Sequence, residues 1–435
     1  MDFTYRQGLH ERMTYDVAVI GAGPAGIAAA TRVAESGRTV VLLDECPAVG
    51  GQIWRHRAGR APNGAARAWI ARLERSCATV GCGASVVDVS SNGDERAYAI
   101  TVERATGACV MHAHALILAT GARERFLPFP GWTLPGVIGV GAAQALCKSG
   151  VSFAGKRVVM AGSGPLLFPV AAALSADGAR VLLVAEQAPP RAVVDFALGL
   201  WRSPPTILQA ARYRVAFLGT PYALGTWVVA ARGDTRVEEV DVTNGTLIRT
   251  MACDVLCAAF GLVPNTELAR LVGCTVSRGA VVVNERQETN RPRVFCAGEP
   301  TGIGGMDVAI VEGEIAGLCS VGRDAEAVPL HRRRARLRAR AEAMERSFAP
   351  RSELRTLAGP DTIVCRCEDV PLGAIDRHWT MRQAKLYTRV GMGPCQGRVC
   401  GAALEFLHGW PADTIRVPCE PALFSTLTAS VNQGA

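Results

Sequence analysis

The stretch "YDVAVIGAGPAGIAAATRVAESGRTVVLLDE", residues 15–45, decides the fold. Its apolar run at 17–20 predicts a strand that enters a turn at Gly21-Ala22-Gly23-Pro24-Ala25-Gly26. A helix of small residues follows, then a second strand over 39–43 that ends at Asp44 and Glu45. Each part has a physical task. Gly21 permits the tight turn, Gly23 lets the backbone approach a pyrophosphate, and Gly26 lets the helix pack closely on the strand. Free N–H groups and partial positive charge at the helix start favour phosphate. Asp44, eighteen residues beyond Gly26, falls where a carboxylate accepts ribose hydroxyls. A G-x-G-x-x-G alone is a weak signal. Strand, helix, second strand and acid in the right order make it a strong one.

The same logic recurs in "GKRVVMAGSGPLLFPVAAALSADGARVLLVAE", residues 155–186. A strand leads to Gly162-Ser163-Gly164, then a helix, then a strand ending at Glu186, but Leu167 holds the third glycine position. Glu186 is placed to bind a ribose 2′-hydroxyl, which favours NAD over its 2′-phosphorylated form. Two readings stay open: the site holds NAD or another nucleotide, or the fold is inherited and its pocket is empty or repurposed. Beyond it, residues 188–222 read as a helical insert broken by Pro204 and Pro205, serving as a partner interface or as ordinary core.

A chain of 435 residues is expected to form two or three domains. Most of its net charge of +8 comes from "HRRRARLRARAEAMER", residues 331–346, with seven Arg and two Glu. This reads as a solvated helix or linker. No nucleic-acid motif accompanies it, so an acidic protein partner is the better use. No apolar run reaches the roughly 18–20 residues of a membrane span. Residues 1–14 lack the apolar centre of a secretory signal, so they read as a flexible lead-in. The expected location is cytoplasmic, with peripheral contact at the inner face of the membrane as its limit. Fifteen cysteines in such a chain are not a disulfide framework. Cys77, Cys82, Cys109, Cys147, Cys253, Cys257, Cys274 and Cys319 have no ligand-like spacing and read as small buried hydrophobes.

Four other cysteines do have a pattern. "IVCRCEDV" supplies Cys365 and Cys367, and "GMGPCQGRVCG" supplies Cys395 and Cys400. The set is C-x-C, then 27 residues, then C-x4-C. Four thiolates suit a [2Fe–2S] cluster or structural zinc. Gly393, Gly397 and Gly401 leave backbone N–H groups free to approach sulfur, which tunes a redox potential. Zinc sites more often use C-x2–4-C hooks on both sides, and C-x-C is less usual there.

Three further stretches extend the opening motif. "PAVGGQIW" carries Gly50, Gly51 and Gln52; "HALILATGARER" carries Ala119, Thr120 and Gly121; "RPRVFCAGEPTGIGGMDVAIVEGEIAG" carries Gly298 and Glu299. With residues 15–45 they resemble the two-dinucleotide-binding-domain flavoproteins, the glutathione-reductase-like and ferredoxin-reductase-like enzymes, over roughly residues 15–318. The resemblance implies an α/β fold with two Rossmann-like three-layer domains. It implies FAD in the first site, held by Gly21, Gly23, Pro24, Ala25, Gly26, Asp44, Glu45, Gly51, Gln52, Ala119, Thr120, Gly121, Gly298 and Glu299. Glu299 stands where the family usually has Asp on the ribityl chain. A helix from about residue 307 would aim its positive end at the flavin. Gly162, Gly164 and Glu186 would line the second nucleotide site. Disulfide-reducing members carry a cysteine pair beside the flavin, but "QIWR" after Gly51 has none, and Cys46 and Cys147 stand alone. A thiol–disulfide mechanism is therefore not expected. No His or acid stands out as a catalytic base, so no catalytic residue is assigned.

Residues 362–407 resemble the bacterioferritin-associated-ferredoxin-like [2Fe–2S] domain, which commonly closes with C-x2-C. This implies a small, mainly helical C-terminal iron–sulfur domain with Cys365, Cys367, Cys395 and Cys400 as ligands. The wording "CRCE…TR.GMGPCQGRVC" is similar to a narrower group, the alpha subunits of multi-subunit amine and amino-acid dehydrogenases. That group includes the alpha-type component of opine oxidase, D-hydroxyproline dehydrogenase and the B component of hydrogen cyanide synthase. It implies a partner FAD-dependent subunit that oxidises an amino-acid-like substrate, FMN at a subunit interface, and a small ferredoxin-like subunit. This chain would relay the electrons. The competing readings are an NAD(P)H-dependent flavin reductase that feeds its own cluster, and a non-catalytic scaffold. The expected domains are 15–122 with 258–325 for FAD, 123–257 for the second Rossmann unit, 326–358 as basic linker and 359–435 around the cysteines.

Overall fold

The computed structural model describes residues 14–55, 64–91, 97–199, 204–411 and 414–431. The expected lead-in therefore lies outside the described residues, except for Thr14, which opens the first strand. Contacts gather the chain into two units. The first is Met1–Arg123, Val263–Glu342 and Thr414–Ala435; the second is Glu124–Leu262 and Ala343–Asp413. The four-cysteine segment groups with the second Rossmann unit, and the C-terminal helix Phe424–Val431 groups with the first.

In the first unit the apolar runs form parallel strands buried on both faces. Thr14–Ile20 lies between Val40–Asp44 and Gly107–Leu118, parallel to both. Thr79–Cys82 and Val294–Cys296 extend the sheet, also in parallel. The long strand Gly107–Leu118 changes partner along its length. Its far end joins the parallel set, while its near end pairs antiparallel with Tyr98–Arg104, followed by Ala84–Ser91.

Helices Pro24–Glu35 and Met306–Ser320 pack on this sheet and on each other. Small residues make the approach possible. A Cβ on Gly313 would stand 2.1 Å from the carbonyl oxygen of Ala25, and one on Gly317 would stand 2.6 Å from that of Ala29. The helix Met306–Ser320 is buried from Val308 to Cys319, including Glu312 and Glu314. Buried carboxylates need partners. Arg32 serves Glu314, while Arg334 and Arg338 serve Glu312.

The last two belong to the basic segment, which forms the helix Asp324–Ser347. Arg332, Arg333 and Arg336 are exposed, as expected of a solvated stripe. Arg334 and Arg338 turn inward instead, because a buried acid of the same unit demands them.

The second unit holds a five-stranded parallel sheet in the order Tyr222–Leu224, Arg180–Glu186, Arg157–Gly162, Val255–Ala259, Val137–Gly139. An antiparallel sheet of Trp227–Arg232, Glu239–Thr243 and Ile248–Ala252 accompanies it. The insert forms helices Pro190–Gly199 and Pro204–Ala216. The first of these contains no buried residue, and Leu198 is 66% exposed, so this helix is not ordinary core. Residues 200–203 of the insert lie outside the described residues.

The cysteine segment has its own small core of Val364, Ile375, Ala384, Val390, Leu404 and Trp410. Helix Met381–Thr388 starts with a capping box, in which Thr380 and Gln383 satisfy each other's backbone N–H. Helix Cys400–His408 begins on a cysteine. Among the described residues, no helix is long and apolar enough to cross a membrane.

Candidate functional site

The first glycine loop is built by contact on three sides and left open on the fourth. Gly21 adopts φ +105°, and a Cβ there would stand 2.2 Å from the carbonyl oxygen of Ala119. The loop thus rests directly on the end of strand Gly107–Leu118, where Ala119, Thr120 and Gly121 follow. A Cβ on Gly26 would stand 1.7 Å from the carbonyl oxygen of Gly21. Around the position of a Cβ on Gly23 there is nothing within 4 Å. That is the face a pyrophosphate would approach. Pro24 fills the first turn of the helix, where its missing N–H costs nothing.

Asp44 closes the motif. Its carboxylate accepts hydrogen bonds from the backbone N–H of Ala22 (2.5 Å) and of Cys46 (2.7 Å), and the residue stays partly exposed. Glu45 and Gln52 are exposed, and Gly51 sits beside Gly23. Across the sheet, Gly298 packs on Ala25, and Glu299 accepts hydrogen bonds from the N–H groups of Gly305 (2.8 Å) and Gly304 (3.1 Å). Burial raises the Glu299 carboxyl above its ordinary value, partly offset by those two N–H groups and by Arg338.

Sequence reasoning missed the support beneath this loop. Glu312 is 0% exposed. It accepts from Gly298 N (3.1 Å), Thr301 Oγ1 (2.8 Å), Arg334 Nε (2.8 Å) and Arg338 (2.7 and 2.8 Å). Arg338 also reaches the carbonyl of Gly302 at 2.7 Å. Burial would raise Glu312, but the two guanidiniums outweigh it and hold the carboxyl below its ordinary value. The signal was in the sequence: a Glu inside the apolar run "DVAIVEGEIAG" must be paired, and the nearby arginines were the available cations.

In the second unit the loop differs. The helix Leu167–Ala176 starts five residues after Gly162, whereas Pro24–Glu35 starts three after Gly21. Leu167, in the third glycine position, is fully buried in the local core. Glu186 is 0% exposed, and its carboxylate accepts from Gly164 N and Ala188 N, each at 2.8 Å. Burial pushes it up to about 7 against those bonds.

The four patterned cysteines come together in the second unit. The side chains of Cys367 and Cys395 are in hydrogen-bonding reach of each other, as are those of Cys365 and Cys400. Cys400 also feels Cys395, and Cys367 feels Cys365. Cys365 and Cys400 are buried, Cys395 is intermediate and Cys367 is exposed. Burial raises Cys395, but the backbone of Val399, the Cys367 side chain and the backbone of Gly397 and Arg398 outweigh it, lowering the thiol. A Cβ on Gly393 would stand 2.2 Å from Cβ of Cys367, so only glycine lets the two loops close. Among the described residues, no group of three or more His, Cys, Asp or Glu is set to hold a metal ion in the present arrangement. The thiols stand as two adjoining pairs.

A family model described as pyridine nucleotide-disulphide oxidoreductase matches residues 15–313. The chain belongs to that family. It is a flavin-dependent oxidoreductase, and membership implies FAD, which the open face at Gly23 and the Asp44 carboxylate fit. It is 31% identical to the alpha-type (A) component of opine oxidase from Rhizobium meliloti, over 96% of this chain and 88% of that protein. It is 33% identical to the hydrogen cyanide synthase subunit HcnB of Pseudomonas aeruginosa, over 88% of this chain and 90% of that one. The fold is shared with L-proline dehydrogenase from P. horikoshii, with a TM-score of 0.70 at 22% identity, covering 96% of this chain and 80% of that one. The two sequence relatives are named as subunits, so this oxidoreductase resembles parts of larger enzymes. The family name refers to disulphides, yet the "QIWR" segment offers no redox cysteine pair after Gly51.

Proposed function

We propose that this chain is the electron-accepting subunit of an amine or amino-acid dehydrogenase. An amino-acid-like CH–NH donor is oxidised on a partner FAD-dependent subunit, and this chain passes the electrons onward. The carrying observation is that two cysteine pairs far apart in sequence converge in a chain whose first unit offers an open dinucleotide cradle. FAD in that cradle and a [2Fe–2S] cluster on Cys365, Cys367, Cys395 and Cys400 together supply exchange between electron pairs and single electrons. The residues suit the cluster chemically: a lowered Cys395 thiol, backbone N–H groups converging on sulfur, and glycine where the loops touch. Partial exposure of the set at Cys367 suits exchange with another protein. The exposed apolar helix Pro190–Gly199 suits a protein partner. FMN at a subunit interface and a small ferredoxin-like subunit complete the proposed complex.

Two results test this reading. Anaerobically purified chain should contain about two iron and two acid-labile sulfide per chain and give an EPR signal on reduction. Cys395→Ser with Cys400→Ser should abolish the signal while leaving flavin bound, because the first unit does not use those residues. Retention of the signal would refute the ligand assignment. Second, an opine-type amine should bleach the flavin only when the partner flavoprotein is present. Bleaching by the donor in the isolated chain would sink the relay.

A further inference from the structure

The second glycine loop is covered by the chain itself. Ser163 Oγ donates to the carbonyl of Phe348 at 2.6 Å. Gln187 Nε2 donates to the carbonyl of Ala349 at 2.9 Å, and Gln187 Oε1 accepts from Arg351 N at 2.9 Å. The Arg351 guanidinium reaches the Gln187 carbonyl at 3.3 Å and lies 4.0 Å over the Trp227 ring. Phe348 meets Phe196 of the insert edge-on at 5.3 Å. A Cβ on Gly164 would stand 3.9 Å from that of Phe348. All of these residues belong to the second unit.

The contrast with the first loop gives this meaning. A dinucleotide needs an open face at the second glycine for its pyrophosphate and an accessible acid for its ribose. Gly23 has the open face and Asp44 is partly exposed. Gly164 is faced by Phe348, Glu186 is fully buried, and Gln187 beside it is 1% exposed. The polar groups that would otherwise greet a nucleotide are spent on peptide carbonyls and an amide. Their pairing leaves no desolvated donor seeking a ligand there.

We propose that the second Rossmann unit of this chain is a receptor for its own residues 348–351, which occupy the nucleotide cradle and exclude NAD(H). The unit then serves to fasten the segment that leads into the cysteines. The insert, through Phe196, acts as part of the clasp. This inference stands apart from the relay reading, since it concerns only what fills the second site.

The test uses the full flavin-loaded chain. NADH fluorescence titration should show no saturable binding up to about 1 mM, a level well above the micromolar range usual for cofactor sites. Hydrogen exchange should find the Arg351 amide protected, and Gln187→Ala should speed its exchange at least about tenfold, the effect of losing a buried bond. Ser163→Ala is the second variant, and flavin content reports that each variant is folded. Saturable NADH binding to the unaltered chain overturns the proposal. So does unprotected exchange at Arg351, even without NADH binding. Neither result touches the iron content or the partner-dependent bleaching by which the relay reading is judged.

Discussion

Gly26→Ala is expected to yield a chain that purifies without flavin and melts well below the parent. The added methyl would stand 1.7 Å from the carbonyl oxygen of Gly21 and 2.9 Å from its carbon. Both neighbours are backbone, so no side chain can swing away. The loop cannot retreat either, since Gly21 is itself pressed on the carbonyl of Ala119. Overpacking costs about 1–3 kcal/mol where side chains adjust, and a backbone pinned on two sides belongs at or above the upper end. About 3 kcal/mol is roughly a hundredfold in affinity. Gly23→Ala separates the two causes. Its backbone angles, φ −75° and ψ −175°, are ones alanine adopts, and its Cβ would meet nothing within 4 Å. That variant should keep the stability of the flavin-free parent yet lose flavin, because the methyl stands where the pyrophosphate belongs. Absorbance of the flavin relative to that of the protein, with melts of flavin-free protein, reads both effects. A Gly23→Ala protein that retains its flavin would show that the pyrophosphate does not lie over this glycine.

The parts of this molecule that could be read from sequence are those whose causes are local. Strand, glycine turn, helix and second strand lie within residues 15–45, and each is dictated by its own spacing. The α/β class follows from two such units. The cysteine pattern was also legible, because spacing alone marked Cys365, Cys367, Cys395 and Cys400 off from the scattered thiols. What was not legible depends on distant partners. Gln187 and Ala349 lie 162 residues apart, and no periodicity says that one will bind the other. The arginine-rich helix shows the same limit. Its charge excess reads as a solvated stripe, but Arg334 and Arg338 answer an acid on another helix. Leu167 was a partial warning, since a bulky residue in a glycine position implies that the following helix starts elsewhere. The occupant of the loop could not be read from it.

Those two arginines lead to the other large effect. Glu312→Ala should destabilise the protein by about 3–5 kcal/mol at pH 7, the usual result of removing one partner from a buried ion pair. The charges of Arg334 and Arg338 would lose their common partner, and Gly298 N and Thr301 Oγ1 would lose their acceptor. Since Gly298 precedes Glu299, flavin retention should fall together with stability. Glu312→Gln should lie between, because the amide oxygen can still accept from Gly298 N but carries no charge. The pH dependence follows from the direction of the shift. Glu312 is held below its ordinary value in the folded chain, and an unfolded Glu titrates near 4.3, as a rough reference. The stabilisation is therefore complete above that unfolded value and is lost as pH falls through the lower, folded one. The gap in unfolding free energy between parent and Glu312→Gln should be widest near neutrality and narrow below about pH 4. Urea unfolding of the two proteins at neutral and acid pH measures it directly. A gap that stays constant with pH would mean that packing, and not the charge on Glu312, is what holds the Gly298–Thr301 turn beneath the flavin site.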